Sequence, residues 1–127
     1  MDKPKPPAAG TLRALRSAIY KVDDLARAKA FYAALLGRAP YFDEAFYVGF
    51  EVDGQELGLD PDVAVHKPGP GGAVAYWRVD DLAAACALAV ASGGKPVEAP
   101  HEVGGGISTA IVADVCGNLV GLVQVPS

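Results

Sequence analysis

Apolar residues along this chain alternate between a period of two and a helical period, and the whole alternation occurs twice. Residues 15–22 form a β-rich run that ends at Asp23-Asp24, two residues suited to capping free helix amides. Leu25, Ala28, Tyr32, Leu35 and Leu36 then fall at helical spacing, and Gly37 supplies the left-handed residue that stops a helix. A short extended piece at 40–42 leads to an aromatic and β-branched strand at 46–52. Asp53-Gly54 is a two-residue hairpin signal, and 55–60 is the return strand. The second half repeats the order. It predicts a strand at 73–79, a helix from Asp80-Asp81 to Ser92 stopped by Gly93-Gly94, and a short extended piece at 95–99. Strands at 107–113 and 119–125 follow, joined by the turn Asp114-Val115-Cys116-Gly117-Asn118.

The repetition extends to the residues themselves. Ile19-Tyr20-Lys21-Val22-Asp23-Asp24-Leu25-Ala26 is echoed by Tyr76-Trp77-Arg78-Val79-Asp80-Asp81-Leu82-Ala83. Gly54-Gln55-Glu56-Leu57-Gly58-Leu59 is echoed by Gly117-Asn118-Leu119-Val120-Gly121-Leu122. Matched landmarks in the same order imply one module used twice. The predicted architecture is α+β: a leader at 1–10, a βαβββ module at 11–60, a Pro/Gly-rich linker at 61–72 and a second βαβββ module at 73–125, together one domain. One helix covers one face of each sheet, so the other face lines a trough or packs on its twin.

Alternation assigns the faces. Ser17, Ile19 and Lys21, then Glu56, Gly58 and Asp60, point into the trough from the first module. Val74, Tyr76 and Arg78, then Leu119, Gly121 and Val123, do so from the second. The opposite set, Ala18, Tyr20, Val22, Leu57, Leu59, Trp77, Val79, Val120 and Leu122, is more apolar and belongs under the helices. A slip of one residue would bury the polar set instead. The aromatic run Tyr41, Phe42, Phe46, Tyr47 and Phe50 reads mostly as core, with part of it at one end of the pocket.

These residues resemble the vicinal oxygen chelate superfamily, which includes glyoxalases, bleomycin-resistance proteins and extradiol dioxygenases. The resemblance is carried by Val22-Asp23-Asp24-Leu25-Ala26-Arg27-Ala28-Lys29-Ala30-Phe31-Tyr32 with Leu35-Leu36-Gly37, and by Asp53-Gly54-Gln55-Glu56-Leu57-Gly58-Leu59. Val79-Asp80-Asp81-Leu82 and the turn 114–118, similar to an Asp-Pro-Asp-Gly-Asn turn, complete it. It implies two βαβββ modules around a trough, and in metal-dependent members one divalent ion held by His, Gln or Glu on the first and last strands of each module. Carried onto this chain, those four positions are Ser17, Gly58, Val74 and Gly121. Such ions need several imidazole, carboxylate or thiolate donors, and these residues offer none of them. Glu56, on the same face as Gly58, is one carboxylate and not a set. The expectation is therefore no metal and no cofactor.

Composition narrows the function further. A net charge of −4 disfavours nucleic acid as a partner. No apolar run suits a membrane span, and residues 1–10 lack the apolar core of a secretory signal. The default is a cytoplasmic protein, and Cys86 and Cys116 read as free thiols. The candidate pocket wall is Ser17, Ile19, Glu56, Gly58, Val74, Tyr76, Arg78, His101 and Gly121, with no catalytic residue assigned. Gly58 and Gly121 mark either a close approach or room for a ligand. Arg78 is an anion anchor or a solvated charge, and Glu56 a partner for Lys21 or Arg78. His101 precedes Gly104-Gly105-Gly106, a segment able to close over the trough as a loop, whereas His66 reads as an exposed linker residue. The favoured function is metal-free binding of a small molecule by a homodimer. A metal-dependent lyase, isomerase or dioxygenase and a non-catalytic partner with a vestigial pocket are the alternatives.

Overall fold

Asp24 and Asp81, the second aspartates of the duplicated stretch, each accept a hydrogen bond from the amide three residues on, and each starts a helix. These are α1 (Leu25–Leu36) and α2 (Leu82–Ala91). Gly37 closes α1 with φ 65°, its amide donating to the Ala33 carbonyl. α2 ends at Ser92 and Gly93, and Gly94 follows under a close constraint. A Cβ there would lie 2.7 Å from the Ala113 carbonyl and 3.0 Å from the Phe31 ring. The structure, a computed structural model, describes residues 9, 10 and 13–126. The leader assigned to 1–10 therefore lies almost wholly outside the described residues.

The strands of the first module are β1 (Ser17–Lys21), β2 (Phe42–Glu44), β3 (Tyr47–Val52) and β4 (Gln55–Asp60). They form a sheet of order β1-β4-β3-β2, with β1 parallel to β4 and the other pairs antiparallel. Asp53 and Gly54 both have positive φ, as the tight β3–β4 hairpin requires. The second module repeats this with β5 (Tyr76–Arg78), β6 (Lys95–Gly104), β7 (Ile107–Ala113) and β8 (Leu119–Gln124) in the order β5-β8-β7-β6. The fold is α+β, two βαβββ modules of identical topology.

Three elements differ from the sequence reading, the first being β2, which forms at Phe42–Glu44 where 40–42 was expected. The strand predicted at 73–79 is only Tyr76–Arg78, although the Ala75 carbonyl still accepts from the Gly121 amide. The piece at 95–99 extends to Gly104. It contains Pro96 and Pro100, whose missing amide donors an edge strand tolerates. Register shifts against β7 absorb the irregularity.

One core serves both modules. Val22, Phe31, Tyr32, Leu57 and Leu59 of the first pack with Leu82, Ala89, Val112, Val120 and Leu122 of the second. The face assignment holds, since the predicted outward residues Val22, Leu57, Leu59, Val120 and Leu122 are all buried. Tyr32 stacks on Tyr20 and donates to buried Asp114 at 2.6 Å, tying α1 to the turn before β8. Asp114 also accepts from the Cys116 and Asn118 amides, and the Asn118 side chain donates to the Lys21 carbonyl at 2.8 Å. The 114–118 turn is thus a clamp between modules.

Candidate functional site

β1 and β5 are edge strands of their own sheets, and no ladder joins them. The Arg16 carbonyl and Val22 amide bond toward β4, so alternation turns the backbone groups of Ser17, Ile19 and Lys21 toward the second module. A cavity of about 670 Å³ lies there. Ser17, Ile19 and Glu56 line it from the first module and Val74 and Tyr76 from the second, with Lys67 of the linker at its border. Tyr20 and Trp77 also reach it, joined by a hydrogen bond from the indole at 3.4 Å. The linker is held over this region by the Gly69 amide, which donates to the Asn118 side chain at 2.9 Å.

Of the nine residues assigned to the wall, five line this cavity and four do not. Gly58 and Gly121 are buried beneath tyrosines of the same chain. A Cβ at Gly58 would lie 1.9 Å from the Tyr47 hydroxyl, and one at Gly121 would lie 2.6 Å from the Tyr76 ring. Close approach, not empty space, explains both glycines. Arg78 is exposed at the end of β5, outside the cavity lining. His101 lies within β6, opposite Thr109, so it is not on a closing loop. Its Nδ1 is 3.0 Å from the Ala99 carbonyl and its Nε2 is 3.8 Å from Glu98, on the edge farthest from β5.

Glu56 pairs with neither Lys21 nor Arg78. Lys21 instead bonds Asp60, its register partner, at 2.8 Å. Glu56 accepts hydrogen bonds from the hydroxyls of Tyr41, Tyr47 (2.6 Å) and Ser17 (3.3 Å). The bonds from Tyr41 and then Tyr47 hold its carboxyl below the usual carboxylate range. Burial and its bond to Glu56 push the Tyr47 phenol up, and a separate bond to Glu56 raises Tyr41. The aromatic run was read as mostly core with part of it at one end of the pocket, yet Tyr41, Phe42 and Phe46 are exposed and only Phe50 of the run is fully buried. The available signal was alternation along β3, which sets Tyr47, Gly49 and Glu51 opposite Val48, Phe50 and Val52.

The metal positions can now be judged as donors. Ser17 spends its hydroxyl on Glu56, Val74 is an alkyl wall, and Gly58 and Gly121 are covered by phenol rings. Among the described residues, no three His, Cys, Asp or Glu side chains converge as a metal group. The residues do not fit a divalent ion at that site. Cys86 and Cys116 are half-buried free thiols, both raised chiefly by burial. Among the described residues no helix is long and apolar enough to cross a membrane.

Solved structures share this fold. A glyoxalase-related enzyme from Fulvimarina pelagi superposes with TM-score 0.76 at 22% identity, over 89% of this chain and 88% of that one. A glyoxalase/bleomycin resistance protein from Albidiferax ferrireducens T118 gives 0.74 at 21%, over 87% and 97%. A glyoxalase/bleomycin resistance protein/dioxygenase family enzyme from Burkholderia phytofirmans PsJN gives 0.76 at 16%, over 90% and 100%. No curated protein sequence matches the chain. The family model for Glyoxalase/Bleomycin resistance protein/Dioxygenase superfamily matches residues 15–122. With that match and the repeated βαβββ topology together, the chain belongs to the glyoxalase/bleomycin resistance protein/dioxygenase superfamily.

Proposed function

We propose that this chain is a metal-independent binding protein for a small organic molecule, held in the cavity between β1 and β5. The observation that carries the reading is the cavity of about 670 Å³, within the roughly 300–1,000 Å³ typical of small-ligand sites. It lies beside metal positions that supply no donor set. Ile19, Val74 and the Tyr76 ring offer apolar contact, and Ser17, Glu56 and Lys67 offer a few polar groups. That mixture suits an organic ligand with limited polarity.

Val74→Trp fills the cavity without touching the shared core, so it separates binding from folding. In a thermal-shift screen of small organic compounds, those that stabilise the native chain are expected to lose their effect on Val74→Trp. Equal stabilisation of both proteins, or of neither, contradicts the reading.

The reading includes a homodimer with two-fold symmetry. Ile19 and Tyr76 remain half exposed on the single chain at the cavity between β1 and β5, which supports a second copy that closes over them. Light scattering after size exclusion is expected to give twice the chain mass, and a monomer at micromolar concentration contradicts it.

A further inference from the structure

On the inward face of the first sheet, β3 and β4 bring two glycines side by side, Gly49 against Gly58. Side chains from both strands lean over them. A Cβ at Gly49 would lie 3.0 Å from Glu56 Oε2 and 3.1 Å from the Tyr41 ring. The space over Gly58 is held by the Tyr47 phenol. The glycine pair is therefore the floor on which a carboxylate and two phenols are assembled. Beside it, Phe42 packs edge-on to Phe46 with ring centroids 5.8 Å apart, and Phe42 is tilted to Tyr47 at 6.2 Å. Together Tyr41, Phe42, Phe46, Tyr47 and Glu56 line an open concavity of about 510 Å³.

Two of those rings stand largely in water, Tyr41 at 60% and Phe46 at 69% exposure, and Phe42 is partly exposed at 38%. A core does not need them there. Their faces carry partial negative charge, and Glu56 adds a full one. Glu56 makes no ion pair among the described residues. An organic cation gains from ring faces and carboxylate together, whereas an anionic ligand is repelled by both and a neutral one meets only an acceptor whose positions are largely occupied. The donor count refines the choice. A carboxylate offers about four lone-pair positions, and Tyr41, Tyr47 and Ser17 already occupy three. A primary ammonium needs acceptors that are largely taken. A fully alkylated ammonium needs none, only a nearby negative charge and apolar faces for its methyl groups.

We propose that this concavity binds a quaternary ammonium group, with Glu56 as its counter-ion and Tyr41, Phe42, Phe46 and Tyr47 as its aromatic wall. The site is separate from the cavity between β1 and β5 in all but Glu56, and it stands or falls without a ligand there. Arg16 is the competing internal cation, since it adjoins Glu56 in the β1–β4 ladder, its carbonyl accepting from the Glu56 amide at 3.0 Å.

The test uses the full chain, titrated with choline and with its uncharged carbon isostere 3,3-dimethylbutan-1-ol, and follows the aromatic NMR signals. Choline is expected to shift the Tyr41, Phe42 and Phe46 resonances saturably and to bind roughly tenfold tighter than the isostere. Glu56→Gln and Phe46→Ala should each weaken choline by roughly tenfold, and Arg16→Ala should strengthen it several-fold. Phe46 is exposed, so its truncation leaves folding intact and isolates the binding effect. Equal affinity for the alcohol, unchanged affinity in Glu56→Gln, or no saturable shift overturns the proposal.

Discussion

Tyr32 and Asp114 meet across the module boundary through a buried hydrogen bond of 2.6 Å. A bond to a charged acceptor of this kind contributes about 1.5–3 kcal/mol. Tyr32→Phe is therefore expected to lower the unfolding free energy by that amount, read as a lower denaturant midpoint at unchanged m-value, and no change would mean that the clamp carries no stability. Gly58→Ala acts differently, because its new Cβ would strike the end of a movable side chain. Tyr47 is expected to swing off Glu56, and its phenol should titrate at lower pH in an absorbance titration. An unaltered titration would contradict the close approach. The acid side follows from Glu56. Its folded-state pKa is lowered below 4.5, so its contribution is full above that value and is lost as pH falls through the folded pKa. Glu56→Gln should flatten the acid limb of the stability curve measured by urea denaturation. Tyr32 gives the opposite limb, since its pKa is raised above 10.0 by burial and the charge of Asp114. Stability from it is complete below 10.0 and declines as pH rises beyond.

At the scale of elements, the helices were legible because their signals are local. Asp24 and Asp81 cap, Gly37 stops α1, and the spacing between them marks the buried stripe. Gly37→Ala is expected to cost about 1–2 kcal/mol, the penalty for a left-handed residue with a Cβ, read as a lowered denaturation midpoint. The β4 face was legible too, since Leu57 and Leu59 alternate with Glu56, Gly58 and Asp60. β6 was not. It carries two prolines, and only its place at the sheet edge makes ten extended residues workable. Glu98, Glu102, the prolines and the register shifts also guard that edge against pairing with another chain. Removing both charges, as Glu98→Val with Glu102→Val, is expected to speed aggregation in light scattering while the melting temperature changes little. His101 was misplaced for the same reason, because a glycine run after it suggests a loop when the strand itself goes unread.

At the scale of the molecule, the duplicated stretch predicted two modules of one topology and, with the family resemblance, the positions where a metal would sit. What it did not convey is what covers two of those positions. Tyr47 over Gly58 and Tyr76 over Gly121 are contacts between side chains and bare backbone, invisible until strand register is known. The Glu56–Tyr41–Tyr47 network was hidden likewise, because Tyr41 and Glu56 meet only through the β3–β4 hairpin. The account therefore rests on a trough furnished with phenols and one carboxylate where the superfamily's metal-dependent members would have ligands. Metal content tests it most directly. The purified chain is incubated with zinc, nickel or manganese, desalted and analysed for bound metal. The account predicts far below one ion per chain, and about one retained ion per chain would contradict it.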